Sequence, residues 1–183
     1  MQCLDVFLCD KIVDGLDVAR TDGLRHHCGR ACLGLGKTFG AVNAIVFGSG
    51  VDAVVKAAFE HGADEVIVAD DAALADYRAE PYASTLSALA SASTPDLILF
   101  PTTARTRELA AMSAVDLSTG VLTDVAKFEM NGEQLVATRP IYEGKVLEKT
   151  VCSGKPIMAT IPARAFPKPA QEAGRTGTLT KAE

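Results

Sequence analysis

The turn Gly48-Ser49-Gly50 is the part of this sequence whose spacing best suits a binding site. It follows a short apolar run and precedes a helical pattern, and Ala53 stands three residues after Gly50. In dinucleotide-binding turns the first glycine permits a tight bend, the second admits a pyrophosphate, and the third small residue packs helix on strand. Asp70 has the spacing of the carboxylate that binds a ribose hydroxyl. An ordinary strand-to-helix turn shows the same pattern, so both interpretations stand.

Two arginines lie where a parallel sheet commonly binds anions. Arg105 and Arg107 come directly after the apolar run Leu97–Phe100, at the start of a helical pattern. The carboxyl ends of parallel strands form the edge at which ligands bind, and guanidinium groups there suit an anion or a partner's carboxylate. A solvated first helical turn would show the same residues. The candidates for a nucleotide pocket are Gly48, Ser49, Gly50, Asp70, Arg105 and Arg107.

The cysteines and histidines predict no metal site. Cys28 and Cys32 share one helix face, but that face is the apolar stripe of the helix, and no second pair of ligands stands elsewhere. His26 is close by and His61 is isolated, so buried core thiols explain the pattern better. The sequence also shows no nucleophile, base and orienting group in the pattern that hydrolysis needs. These observations favour a protein without catalytic residues.

Composition and charge exclude several classes of protein. Hydrophobic residues make up 48% and charged residues 22% of the 183, the balance of an ordinary globular domain. The net charge of −5 repels phosphate backbones, which argues against nucleic acid as a partner. No apolar run approaches the roughly 20 residues of a membrane helix, so no membrane insertion is expected. The start of the chain lacks a signal-peptide pattern and the five cysteines are scattered, so we expect a cytoplasmic address.

Apolar runs alternate with helical stripes through the first two thirds of the chain. Runs at Val6–Cys9, Ala44–Phe47, Val66–Val68 and Leu97–Phe100 predict four buried strands. A helical stripe follows each of them, and the last predicted helix is Arg105–Leu117. Strands that alternate with helices imply right-handed crossovers and a parallel sheet covered on both faces. The predicted fold class is therefore α/β, with three layers and a mainly parallel sheet.

Turn signals replace the helical stripes after residue 120. Asn131-Gly132 predicts a hairpin with a type I′ turn, which joins strands near Leu122–Met130 and Gln134–Tyr142. Two further turns lead to the apolar run Ile157–Ile161, and we expect all of these strands to extend the sheet in antiparallel fashion. From Pro167 onward no apolar periodicity is present, which is typical of a flexible linker. The predicted organisation is one domain followed by a tail, with the ranges 1–166 and 167–183.

Several short segments, in order along the chain, resemble the alpha subunit of electron-transfer flavoproteins. The segments are Gly62–Leu74, Ala79–Tyr82, Arg107–Ala110, Thr119–Asp124, Thr138–Pro140 with Gly144, and Pro156–Ile161. Each segment alone is short, but their order and spacing hold from roughly residue 5 to 166. The resemblance implies the N-terminal domain of that subunit, an α/β scaffold like that of adenine-nucleotide hydrolases.

The resemblance also implies a role, a partner and a cofactor. Alpha subunits of this family form a heterodimer with a beta subunit, and the pair carries electrons from flavin dehydrogenases or NADH to an acceptor. The family's FAD lies in a C-terminal domain introduced by a Ser-Gly-Gly-Arg-Gly type loop, and no such loop follows Pro167 in this sequence. We therefore expect no FAD in this chain and a nucleotide pocket that is vestigial.

Three functions are compatible with the sequence. The first is a non-catalytic scaffold that docks on the beta subunit, with residues 122–152 supplying much of the contact and with self-association possible in isolation. The second is a stand-alone adenine-nucleotide-binding domain. The third is a small dinucleotide-dependent oxidoreductase that uses Gly48, Gly50 and Asp70.

Overall fold

The computed structural model describes residues 6–12, 23–167 and 169–182, and ten strands lie in those ranges. They are β1 (Val6–Ile12), β2 (Val42–Gly48), β3 (Glu65–Asp70), β4 (Leu97–Pro101), β5 (Val121–Leu122), β6 (Lys127–Asn131), β7 (Gln134–Ile141), β8 (Val146–Val151), β9 (Ile157–Ile161) and β10 (Thr178–Lys181). Seven of them form the main sheet in the order β10-β3-β2-β1-β4-β9-β5, and each neighbouring pair is parallel. The predicted α/β class and the four predicted parallel strands are confirmed.

Helices cover both faces of the main sheet. They are α1 (Gly23–Gly36), α2 (Asp52–Glu60), α3 (Ala79–Ser93) and α4 (Ala104–Asp116), with a short 3₁₀ helix at Ala72–Leu74. Alternate strand residues face two apolar clusters, because successive side chains of a strand point to opposite sides. Ala44 and Val46 pack with α1 and α2, whereas Ile45 and Phe47 pack with α3 and α4. Each fully buried valine, isoleucine or phenylalanine side chain stabilises the fold by about 2 kcal/mol.

The remaining three strands form a separate antiparallel sheet, which we call the small sheet (β6, β7 and β8, in that order). Asn131 pairs with Gln134, so the hairpin predicted from Asn131-Gly132 is confirmed. Its loop residues are Gly132 and Glu133, and only Gly132 has positive φ, at 63°. That pattern matches a type II′ turn and not the predicted type I′, in which both central residues have positive φ.

Two features of the second half differ from the predicted antiparallel extension of the main sheet. The run Ile157–Ile161 forms β9, which lies in the main sheet and pairs in parallel with β4. The predicted strand Leu122–Met130 is broken at Asp124, where φ is +55°. Its first part belongs to the main sheet as β5, and its second part enters the small sheet as β6. The chain therefore changes sheets at Asp124.

The tail is not the unstructured linker that its composition predicts. Thr178–Lys181 adds an edge strand to the main sheet and pairs in parallel with β3. Thr178 donates its backbone N–H to the Asp64 carbonyl at 3.1 Å, and Ala182 donates to the Val68 carbonyl at 2.8 Å. The strand is short, polar and exposed, so no apolar periodicity marks it. The predicted domain boundary at residue 166 stays a prediction.

Candidate functional site

The turn Gly48-Ser49-Gly50 lies at the carboxyl edge of the main sheet, between β2 and α2. Gly50 has a φ of +68°, which glycine adopts without steric cost. Its backbone N–H donates to Oδ1 of Asp70 at 3.0 Å. The predicted pair is therefore brought together, but the carboxylate holds the turn itself in place of a ligand's hydroxyl group.

Two features of this turn oppose the binding of a pyrophosphate. A phosphate-binding turn needs free backbone N–H groups, and the Gly50 N–H is already bonded to Asp70. Asp52 opens α2, and Asp71 follows β3 and accepts a hydrogen bond from Ala73 at 2.7 Å. Three carboxylates around the turn repel an anion. The nucleotide role proposed for these residues stays a prediction, and the geometry of the turn opposes it.

The two candidate arginines face different neighbours. Arg105 stands with its guanidinium carbon 5.4 Å from the centre of the Tyr77 ring, a cation–π distance. The Tyr77 hydroxyl lies 3.1 Å from the Arg105 carbonyl and 3.0 Å from a Glu108 carboxylate oxygen. Arg107 instead forms an ion pair with Asp124, in which its Nη2 lies 3.0 and 2.8 Å from the two carboxylate oxygens. Since its charge is paired within the chain, Arg107 is poorly placed to hold a free anion.

Asp124 is a residue whose role the sequence did not reveal. Besides Arg107, its carboxylate accepts a hydrogen bond from the Thr102 hydroxyl at 3.0 Å. Its backbone N–H donates to the Thr160 hydroxyl at 2.9 Å. Arg107 was predicted as an anion ligand, whereas the segments that carry Asp124 and Thr160 were noted for the family resemblance. The structure shows that these three residues meet at one edge of the main sheet.

The metal-ligand candidates lie apart from this edge. Cys32 is fully buried in the core, and His61 is buried with Nδ1 2.8 Å from the Ala57 carbonyl oxygen. The side chains of His26 and Cys28 are outside the described part of the structure. Over the described residues, no three His, Cys, Asp or Glu side chains are grouped to hold a metal ion. Among the described helices, none has the length and apolar character that crossing a bilayer requires.

The small sheet presents most of the exposed apolar surface. Five of the seven large hydrophobic side chains that are exposed in the described residues lie on it or in its turns: Met130, Tyr142, Val146, Leu147 and Val151. Leu147 is 67% exposed, and Val146 and Val151 are each 46% exposed. Exposed apolar side chains that cluster in one place mark interaction sites. We call the exposed side chains of Tyr142 and β8, with the free edge of β8, the docking surface.

Strand β8 is an edge strand that carries two charged residues but has neither a proline nor a bulge. It pairs with β7 through six consecutive residues, and on its other side no described strand pairs with it. Natural edge strands are shielded by proline, bulges or charged side chains. Here the register shows no bulge, and the two charged residues are already paired, Glu148 with Arg139 and Lys149 with Glu129. The edge is therefore open to another strand.

The other side of the small sheet faces the main sheet. A cavity of about 110 Å³ separates them near β5, and its polar lining comes from Thr123, Arg139, Glu148 and Thr150. On the outward side, Lys127 and Lys149 lie 2.8 and 3.1 Å from Glu129 and lower the pKa of its carboxyl. On this side of the small sheet, two lysines therefore share one carboxylate.

Comparison with known proteins places these features in a family. The family model described as the electron transfer flavoprotein domain matches residues 28–183. An "Electron transfer flavoprotein subunit alpha" from Syntrophomonas wolfei is 37% identical over 126 residues, covering 68% of this chain and 40% of that protein. The protein of the same name from Bacillus subtilis is 29% identical over 140 residues, covering 76% of this chain and 43% of that protein. "Protein FixB" of Azotobacter vinelandii is 34% identical over 125 residues, or 66% of this chain and 34% of that protein.

These matches agree with the resemblance noted from the sequence. The chain spans about two fifths of the length of the curated relatives it matches. The match to the family model, in contrast, includes most of the sequence. The chain belongs to the electron transfer flavoprotein domain family, and within it resembles the alpha subunits.

Proposed function

We propose that this chain is the docking part of an electron-transfer flavoprotein alpha subunit, and that it binds a beta-type subunit through the docking surface. It contributes no catalytic residue, and the flavin that carries the electrons lies elsewhere in the assembly. The observation that carries the proposal is the open edge of β8 flanked by Val146, Leu147 and Val151. The sequence-based prediction of contact across residues 122–152 becomes more specific, because it now centres on this strand.

Strand addition explains the form of the docking surface. A partner strand laid against β8 would satisfy its unpaired backbone groups and cover the apolar side chains beside them. The apolar residues on β8 belong to both faces of the strand, since Val146 pairs with Ile141 and Leu147 with Pro140. A partner that contacts both faces and the edge would bury them all. An edge contact fits this pattern better than a partner that covers one face alone.

Charge favours a different chain over a second copy as the partner. Two copies of β8 paired about a twofold axis would place one residue directly opposite itself. In the two registers that overlap the strand most, that residue is Glu148 or Lys149. Like charges directly opposite each other in a sheet are destabilising. A beta-type subunit has no such restriction, so we expect the isolated chain to bind that partner more tightly than itself.

The two alternative functions receive less support. A nucleotide-binding domain or a dinucleotide-dependent oxidoreductase would use the turn at Gly48 and Gly50, whose geometry opposes a phosphate. No observation at Asp70 favours a ribose, because its Oδ1 is bonded to Gly50. The docking proposal therefore rests on a surface that does not include the turn Gly48-Ser49-Gly50.

The test compares two exposed apolar residues on different faces of the protein. Leu147→Asp places a charge on the docking surface, whereas Val115→Asp places one on α4, where Val115 is 78% exposed. We expect L147D to weaken binding to the cognate beta subunit at least about tenfold, in calorimetry, and V115D to bind as the unchanged chain does. Equal binding by both variants would refute β8 as the docking strand.

A further inference from the structure

Two arginines from different parts of the fold bind neighbouring residues of one short segment. Arg107, on α4, pairs with both carboxylate oxygens of Asp124. Arg139, on β7, donates from Nη1 to the hydroxyl of Thr123. The segment Thr123–Asp124 is where the chain leaves β5 in the main sheet and turns towards β6 in the small sheet. One arginine therefore fixes this segment to the main body, and the other fixes it to the small sheet.

The backbone at Asp124 is held from several directions. Its φ of +55° lies in the left-handed region, which residues other than glycine seldom adopt. The Thr160 hydroxyl accepts its N–H at 2.9 Å, and the next N–H, of Val125, donates to the Thr160 carbonyl at 2.9 Å. Such a conformation persists where surrounding contacts determine it more than once. The direction in which the chain enters the small sheet is thus set by side-chain contacts at this point.

The polar contacts continue from this segment to the docking strand. Arg139 is also paired through Nε with Glu148, its directly opposite residue on β8. The contacts therefore run from the main sheet through Thr123 and Arg139 to β8. These side chains are all partly exposed, and ion pairs of this kind add little to the free energy of unfolding. Their directional geometry is better suited to setting an angle between the two sheets than to holding the fold together.

We propose that Arg107, Thr123, Asp124 and Arg139 are positioning residues, which orient the small sheet so that the edge of β8 meets the partner strand. The inference rests on the proposed docking function, but the orientation itself is a property of the isolated chain. Disrupting the contacts at Thr123 or Asp124 would let the small sheet move while the main sheet stays intact. Partner binding would then fall although the fold persists.

The experiment removes one contact at a time. Arg107→Ala deletes the pair with Asp124, and Arg107→Lys keeps the charge without the planar guanidinium group. Thr123→Val replaces the hydroxyl by a methyl group of similar size. Lys155→Ala is the matched control, because it deletes an exposed ion pair with Asp96. That pair lies near the amino ends of β4 and β9, whereas Asp124 lies near their carboxyl ends. The first readout is hydrogen exchange without any partner, over the peptides of β7–β8 and of the main sheet. The second readout is the affinity for the cognate beta subunit.

We expect R107A and T123V to speed exchange across β7–β8 by about fivefold or more, with the main sheet unchanged, and K155A to change neither. Affinity for the beta subunit should fall about tenfold in R107A and T123V. The affinity of R107K should lie between that of these two variants and that of the unchanged chain. Unchanged exchange in the small sheet would overturn the positioning role, whether or not a partner binds. Faster exchange with unchanged affinity would overturn its link to docking. If R107A does not fold, R107K and T123V decide by the same readouts.

Discussion

Gly177 passes so close to Asp64 that a Cβ added to it would lie 2.3 Å from the Asp64 carbonyl oxygen. The same added atom would lie 2.6 Å from the Phe59 ring. Beside this contact, the Asp64 carboxylate accepts hydrogen bonds from the Arg175 guanidinium at 3.0 Å and from Lys37. The tail therefore packs closely against Asp64 and Phe59 just before β10 begins.

Substituting Gly177 by alanine should loosen the tail. Both atoms that the new methyl group would meet belong to backbone or a rigid ring, so the tail must shift outward. We expect a loss of about 1–3 kcal/mol in the free energy of unfolding, measured by urea denaturation. Gly120→Ala is the control, because its Cβ would lie 3.9 Å from Cys152 Sγ, an ordinary contact. An equal effect of the two substitutions would argue against close packing at Gly177.

Asp64 should make this region sensitive to acid. Burial raises the pKa of its carboxyl, but the Lys37 hydrogen bond, the Val42 N–H and the charges of Lys37 and Arg175 outweigh burial and hold the pKa below its usual range. Stability from a lowered pKa is present above the unfolded value and is lost as the pH falls through the folded value. The side chain is 39% exposed, so the contribution is at most about 1 kcal/mol.

The measurement is urea unfolding of the unchanged chain and of Asp64→Asn near pH 7 and near pH 3. We expect the asparagine variant to be less stable near pH 7, with the difference shrinking near pH 3. A difference that stays constant between the two pH values would show that the carboxylate charge does not matter.

Phe128 should be one of the apolar links between the small sheet and the body of the protein. Its ring packs edge-on against Phe39 at 5.7 Å and stacks against Phe166 at 6.2 Å. Phe128→Ala should cost about 2 kcal/mol, less than a fully buried phenylalanine, because the side chain is only partly buried. Met130→Ala, on the same strand but exposed, is the control and should cost less than about 0.5 kcal/mol. Similar losses for both would mean that the aromatic cluster does not anchor the sheet.

The isolated chain should not bind FAD. The Gly50 N–H that could face a phosphate is bonded to Asp70, and Asp52 and Asp71 add negative charge at the same turn. We expect no saturable change when flavin fluorescence is followed during titration with the chain. A tight one-to-one complex would contradict both the reading of this turn and the docking role proposed for the chain.

The strands of the main sheet were predictable where burial on both faces leaves a continuous apolar run. β2, β3 and β4 show such runs, and each was predicted within a few residues. Ile157–Ile161 has the same apolar character, which is typical of a buried parallel strand. It was instead assigned to the antiparallel part because two turns precede it. The apolar run was the better guide, since neighbouring turns do not determine which strand a segment pairs with.

The contacts at the candidate sites depend on residues far apart in sequence, and the sequence indicated them less well. The sequence placed Gly50 and Asp70 in one candidate nucleotide pocket, but it did not indicate that the Asp70 carboxylate would bind the turn itself. Arg107 was noted as a possible anion ligand, although its partner is Asp124 of the same chain. β10 has no sequence signal, because its four exposed residues are ordered by backbone pairing with β3.

Hydrogen exchange at the backbone amides of Val146–Val151, with and without the cognate beta subunit, tests the central claim most directly. If a partner strand adds to β8, the amides on its free edge should be protected in the complex by at least about tenfold, while those of the exposed end of α4 stay unchanged. Exchange across Val146–Val151 that is the same in the free chain and in a fully formed complex would contradict docking through this strand.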